Sequence, residues 1–246
     1  MRHGWAAAPR PLLLGHRGCR GAEKENTLAA FDRALAEGCD GFEFDVRRSL
    51  DGRSVICHDP QFRGIDIAEN EFDSLKIAPL RSRFGIRRRH QVSESLLCLE
   101  EVLERYGSRA FMDIELKVDG LEEATLAAIQ RLSGLRGYVI SSFLPSVVRR
   151  VHELDARAVA GYIFNDRDAM ALWSSLPCAW VMPHYKLVTP ELVHEFHDAG
   201  KHVMAWTVNN PGQMRRLAEF GVDALIADDP RLLRDVLGSF VPGTDG

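Results

Sequence analysis

The sequence predicts an α/β protein with one domain, a (β/α)8 barrel, and three observations predict it. Eight short apolar runs, at residues 11–15, 41–46, 110–117, 138–143, 159–164, 179–184, 202–208 and 224–227, are each bounded by turn-forming or charged residues. Strands of a parallel sheet buried on both faces read this way. Helical stretches fill the intervals, no Pro/Gly/Ser-rich linker divides the chain, and the 246 residues are close to the roughly 250 of a typical barrel. Eight β–α alternations without a break argue for one closed barrel spanning 1–246; an open, doubly wound sheet is the alternative.

In chain order, Leu12-Leu13-Leu14 reads directly into Gly15-His16-Arg17-Gly18 as a buried first strand. Residues 27–37 carry Leu28, Phe31 and Leu35 at helical spacing and end at Gly38, a residue suited to terminate a helix. The second run, Phe42-Glu43-Phe44-Asp45, alternates with period two, so its carboxylates share one face and its phenylalanines the other. After the Asp51-Gly52 turn, residues 53–58 predict an extra short strand in a hairpin on strand two. Residues 60–97 then form a stretch of weak periodicity, longer than connections in compact domains and a candidate lid or specificity insertion. Further on, Pro145, Pro190, Pro211 and Pro230 sit where first helical turns would begin, positions that tolerate a missing N–H.

Composition excludes several classes. A net charge of −4 gives no global basic field for nucleic acid. No run of 18 apolar residues occurs, so no transmembrane segment is expected. Prolines 9 and 11 interrupt the N-terminal apolar stretch, which a signal peptide would need unbroken. Five cysteines, an odd number at wide spacing without C-x-x-C, argue against a disulfide framework or zinc knuckle. The expected address is the cytoplasm.

The chemistry gathers between residues 16 and 59. With Phe42 and Phe44 against the helical layer, Glu43 and Asp45 must face the barrel interior, where two acids repel and lose solvation unless a cation compensates. A hard divalent ion, Mg2+ or Ca2+, suits carboxylate oxygens. Glu115 and Lys117 repeat the pattern on the third strand, which makes Glu115 the natural third ligand. His16 ends strand one on the face of Leu12 and Leu14, and His58 ends the extra strand. Both are expected at the C-terminal rim, where barrel active sites form, as a general acid and base. Arg17 and Lys117 supply positive charge for phosphate oxygens, and Asn26 a further polar contact.

These residues bring a family into view. Gly15-His16-Arg17-Gly18, Glu25-Asn26-Thr27, Glu43-x-Asp45, Asp51-Gly52 leading to His58-Asp59, Glu115-Leu116-Lys117 and Trp206-Thr207-Val208-Asn209 resemble, in order, the motif series of the glycerophosphodiester phosphodiesterase family. The resemblance covers nearly the whole chain, from residue 12 to about 230. It implies a TIM barrel, a divalent cation on Glu43, Asp45 and Glu115, and acid–base roles for His16 and His58. It also implies phosphate contacts from Arg17 and Lys117, with Trp206 lining the pocket against a glycerol backbone. The implied substrate is a small-molecule glycerophosphodiester, cleaved to an alcohol and glycerol 3-phosphate through a cyclic phosphate that water opens. Two positions depart from the family: Lys24 stands where a proline is usual, and Gln61-Phe62-Arg63-Gly64-Ile65 replaces an Arg-Thr-Thr stretch.

Other readings stay open at this level. The carboxylates could be paired with Arg17 and Lys117 without metal. Lys117 could be the Schiff-base nucleophile of a lyase. A lysophospholipase D-like activity would need an acyl groove, for which Phe62, Ile65, Ile67 and Phe72 are the candidates. His152, His194, His197 and His202 read as structural, and His184 as either structural or substrate-facing. The basic run Arg81, Arg83, Arg87, Arg88, Arg89, His90 reads first as a solvated face.

Overall fold

The computed structural model describes residues 10–77 and 96–240. The chain runs through β1 (Leu12–Gly15), α1 (Leu28–Ala36), β2 (Gly41–Arg48), β3 (Ser54–Ile56), β4 (Gln61–Phe62), β5 (Ile65–Asp66), α2 (Phe72–Ile77) and α3 (Leu99–Tyr106). It continues through β6 (Phe111–Leu116), α4 (Glu122–Gln130), β7 (Gly137–Ser142), α5 (Pro145–Leu154), β8 (Ala160–Phe164) and α6 (Arg167–Met170). The last third holds β9 (Trp180–Pro183), α7 (Pro190–Asp198), β10 (His202–Ala205), α8 (Pro211–Glu219), β11 (Ala224–Ala227) and α9 (Pro230–Leu237).

β1, β2 and β6 to β11 form a parallel ring. It closes because β1 pairs on one side with β11, Leu12 opposite Ala224, and on the other with β2, Leu14 opposite Gly41. Closure rules out the open sheet. All eight expected strands are present, and the predicted extra strand is β3, antiparallel to β2 with Val46 opposite Ile56 and lying outside the ring. Gly52 turns the hairpin at φ +80.

Side-chain alternation divides the interior into two cores. Inward residues Leu12, Leu14, Phe111, Val139, Ile163, Met182, Met204 and Ile226 fill the barrel. Outward residues meet the helices: Phe42 stacks on Phe31 of α1 at 4.3 Å between ring centroids, and Tyr106 of α3 meets Phe42 edge-on at 5.1 Å. Gly41 lets β2 lie this close to β6, since a Cβ there would stand 1.8 Å from the Phe111 carbonyl oxygen.

The helix boundaries follow side-chain chemistry. Thr27 Oγ1 accepts from the Ala30 N–H to cap α1, and Gly38 leaves that helix at φ +93. Pro145, Pro190, Pro211 and Pro230 each open a helix. Three of those four helices are also capped by a side-chain oxygen, from Thr189, Asn210 and Asp229.

The first part of the insertion, residues 60–77, is a small hairpin of β4 and β5 followed by α2. Ile67, Phe72 and Leu75 are buried with Val55, Leu96 and Cys98 in a third, separate core, and Phe62 and Ile65 pack against it. Of the four apolar residues that the sequence offered for an acyl groove, Ile67 and Phe72 are thus buried in this core and Phe62 and Ile65 are half-buried against it. The basic run of residues 81–90 lies outside the described residues.

Candidate active site

β2 turns Glu43 and Asp45 inward, and the β2–β6 register sets Asp113 beside Glu43 and Glu115 beside Asp45. Carboxylate oxygens of Glu43, Asp45 and Glu115 lie within 4.8 Å of one another, and all three residues are buried. The loop between β1 and α1 folds over them. The Arg17 N–H donates to Glu43 Oε2 at 2.9 Å, and Asn26 Nδ2 donates to Asp45 Oδ2 at 2.9 Å. To make these contacts Arg17 and Asn26 both adopt left-handed backbone, φ 52 and φ 58, which is unfavourable for side chains other than glycine. A hydrogen bond from Asn26 N to Arg17 O at 3.1 Å ties the two together.

Two cations enter the cluster. Lys117 Nζ donates to Glu115 Oε1 at 2.6 Å and lies 3.4 Å from Asp45 Oδ1. Arg17 Nη1 donates to Glu25 at 2.8 Å, while its Nε stands 3.1 Å from Asp45 Oδ2 as an ionic contact without hydrogen-bond geometry. Burial would lower the Lys117 pKa, but Glu115 and Asp45 outweigh it and hold the ammonium above its ordinary value. A Schiff-base nucleophile needs the opposite shift, so the setting of Lys117 suits a charge-balancing ammonium rather than a lyase nucleophile.

The pairing does not exhaust the acids. Glu43 Oε1 and Asp45 Oδ1 are buried without a hydrogen bond. Burial, then the charges of Asp45, Glu115 and Asp113, push the Glu43 pKa well up, and burial likewise raises Glu115 against the pull of Lys117. Three convergent carboxylates, with Glu43 Oε1 left without a donor, are the donor set that a hard divalent cation takes, and these residues fit one.

The histidines flank this cluster. His16 continues the inward face of β1; its Nδ1 lies 2.6 Å from Asp228 Oδ1 and its Nε2 3.9 Å from Glu43 Oε2. β3 runs back along β2, and Cys57 N donates to Asp45 O at 3.0 Å, which returns His58 to the level of Asp45. His58 Nδ1 meets Asp59 at 2.9 Å, and its carbonyl accepts from Arg47 Nε at 2.7 Å. Trp206 Nε1 donates to Met182 O at 2.8 Å, and the ring meets Phe143 edge-on. It helps line a pocket together with His16, Glu43, Asp113, Met182 and Ile226.

The expected residues therefore converge, with one refinement. Asn26 holds the side chain of Asp45, so its polar contact is with a carboxylate of the cluster. His184 packs on Tyr185 and the edge of Trp206. His197 and His202 share Asp223 at the opposite mouth of the barrel, where a structural reading holds.

Sequence reading missed two acids. Asp113 is fully buried, takes a 2.5 Å hydrogen bond from Ser141 Oγ, and is pushed up to about 8 by burial. The alternation that exposed Glu115 and Lys117 reaches Asp113 one step earlier. Asp228 directly follows β11, at the strand end where barrels place functional groups.

Comparison with known proteins agrees with this geometry. Residues 16–232 match the model of the glycerophosphoryl diester phosphodiesterase family. The chain belongs to that family. A glycerophosphodiester phosphodiesterase of Caldanaerobacter subterraneus is 30% identical over 239 residues, covering 91% of this chain and 96% of the relative. An Oleispira antarctica phosphodiesterase, solved with its product sn-glycerol-3-phosphate, superposes with a TM-score of 0.76 at 27% identity over 92% of this chain and 96% of the other. A glycerophosphodiester phosphodiesterase from Parabacteroides distasonis shares the fold at 24% identity, with a TM-score of 0.79 and coverage of 94% and 98%. The family match spans every residue that the sequence proposed for the site.

Proposed function

We propose that this chain hydrolyses glycerophosphodiesters to an alcohol and glycerol 3-phosphate, with a divalent cation, Mg2+ or Ca2+, and acid–base catalysis by His16 and His58. One observation carries the reading: two histidines flank three buried, convergent carboxylates, of which Glu43 keeps an oxygen, Oε1, with no hydrogen-bond donor in the protein. The product-bound Oleispira relative supports the substrate class.

A cation on Glu43, Asp45 and Glu115 would polarise the phosphate and draw off developing charge. Around it, one imidazole accepts the proton of the attacking glycerol hydroxyl and the other returns a proton to the departing alkoxide. Their roles then reverse as water opens the cyclic phosphate. Lys117 and Arg17 hold positive charge at the phosphate while balancing the carboxylates, and Trp206 presents an apolar edge to the glycerol carbons. Asn26 keeps Asp45 in place.

The test is a turnover assay of glycerophosphodiesters with different head groups, each with Mg2+, with Ca2+ and after chelation. Metal-dependent release of glycerol 3-phosphate is expected. No release from any of them, or full activity in chelator, would overturn the proposal. A monoacyl lysophospholipid belongs in the same panel; preference for it would favour the lysophospholipase D-like alternative. Among the described residues no helix is long and apolar enough to cross a membrane. All five cysteines are free thiols, which supports a reducing, cytoplasmic setting.

A further inference from the structure

The two histidines are held very differently. His58 leans on its chain neighbour Asp59, whose side chain is 75% exposed. The His16 partner arrives from the far end of the chain and is itself clamped. Asp228 Oδ1 lies 2.6 Å from His16 Nδ1, while its Oδ2 accepts from Asn209 Nδ2 at 2.6 Å. Asn209 Oδ1 in turn accepts from the Asp228 backbone N–H at 2.9 Å. The same loop is tied to the strand that carries His16, by His16 N to Ala227 O at 2.8 Å and Gly21 N to Asp228 O at 3.0 Å.

A carboxylate only accepts hydrogen bonds. A 2.6 Å contact between an oxygen lone pair and an imidazole lone pair would be repulsive, so Nδ1 carries the hydrogen. Arg20 Nη1 stands 3.5 Å from the same nitrogen, too far to compete with the shorter contact. In the neutral ring Nε2 is then the acceptor, and it faces Glu43 and the pocket.

We infer that Asp228, clamped by Asn209, is a positioning residue that fixes the tautomer and ring plane of His16 so that Nε2 addresses the reacting phosphodiester. The inference rests on the acid–base role proposed for His16. Carboxylate–imidazole couples act this way elsewhere, and removing the carboxylate leaves a ring in the wrong tautomer.

The experiment joins nitrogen NMR of the His16 ring with steady-state kinetics. In the metal-free wild-type protein, at a pH where the ring is neutral, His16 should carry its hydrogen on Nδ1. In Asp228→Ala it should shift toward Nε2. Asp228→Asn should lower kcat roughly 10- to 100-fold with KM changed less than about three-fold. Asp228→Glu should recover part of the loss, and Asn209→Ala should show a smaller loss in the same direction. A wild-type ring with its hydrogen on Nε2 overturns the inference, even if every variant fails to fold. So does an unchanged kcat in Asp228→Asn, or a loss that Asp228→Glu does not relieve while the tautomer stays the same. Inactivity of the wild-type protein on every phosphodiester would instead sink the functional proposal, and the NMR reading distinguishes the two failures.

Discussion

Glu43 and Asp45 stand two residues apart on one face of β2, yet their surroundings drive their protonation in opposite directions. Burial and the neighbouring acids Asp45, Glu115 and Asp113 push the Glu43 pKa well up. Burial pushes Asp45 up too, but Arg17, Lys117 and the Asn26 amide more than offset it and hold its pKa below the ordinary value. The difference is one of partners, because both cations reach Asp45. As pH falls, Glu43 takes up its proton before Asp45 does.

Metal affinity should therefore decline with falling pH, since a ligating carboxylate must be ionised. Chelation should abolish activity, and Mg2+ or Ca2+ should restore it. Cation at 100 times its dissociation constant should add about 2.7 kcal/mol to stability. Glu43→Gln should weaken the apparent affinity at least about ten-fold, some 1.4 kcal/mol. Thermal melts titrated with metal at several pH values read all of this.

Asp113 gives a prediction about stability alone. Burial holds its folded pKa up at about 8, above the 3.8 of a free carboxyl, so the native state binds more protons than the unfolded state between those limits. Stability from this group is full below about pH 4 and is lost as pH rises through about 8. Asp113→Asn, which can still accept from Ser141, should remove that loss. In chelator, its stability should exceed wild type by a margin that widens with pH, reaching on the order of a few kcal/mol at pH 8 and read as a rising melting temperature. Equal melting profiles across the range would contradict the assignment.

His16→Ala and His58→Ala should each lower kcat by about 10²-fold or more through lost proton transfer. Both rings lie at the rim and outside the apolar cores, so melting temperature should change little. Near-wild-type turnover in either variant would remove that histidine from the chemistry.

Phe42→Ala tests the outer core. The ring is fully buried, stacked on Phe31 and met edge-on by Tyr106. Its truncation should cost roughly 3–5 kcal/mol, read as a lower urea midpoint with little change in slope.

Much of this was legible in the sequence because it is written at short range. Period-two alternation alone assigned Glu43, Asp45 and Glu115 to the interior, and helix-opening prolines marked four of the outer helices. Asp113 obeys the same alternation but follows Phe111-Met112, an apolar lead that hides an acid within a core strand. Asp228 could not be read as a partner of His16, since the two are 212 residues apart and meet only because β11 closes against β1. The packing of Phe62, Ile65, Ile67 and Phe72 was illegible for a related reason: of their partners, Val55 and Cys98 flank the insertion on its two sides and Leu96 stands near its far end.

That third core has a consequence for how the molecule fails. Every acid in the carboxylate cluster belongs to the ring, whereas His58 is delivered by a strand outside it, next to an insertion sealed by a small separate set of side chains. Cooperative units of this kind open at separate free energies. Loosening the insertion withdraws one imidazole and leaves the carboxylates, His16 and the barrel standing. On heating, catalysis should fade before the sheet melts, with amide exchange quickening first around β3, β4 and α2.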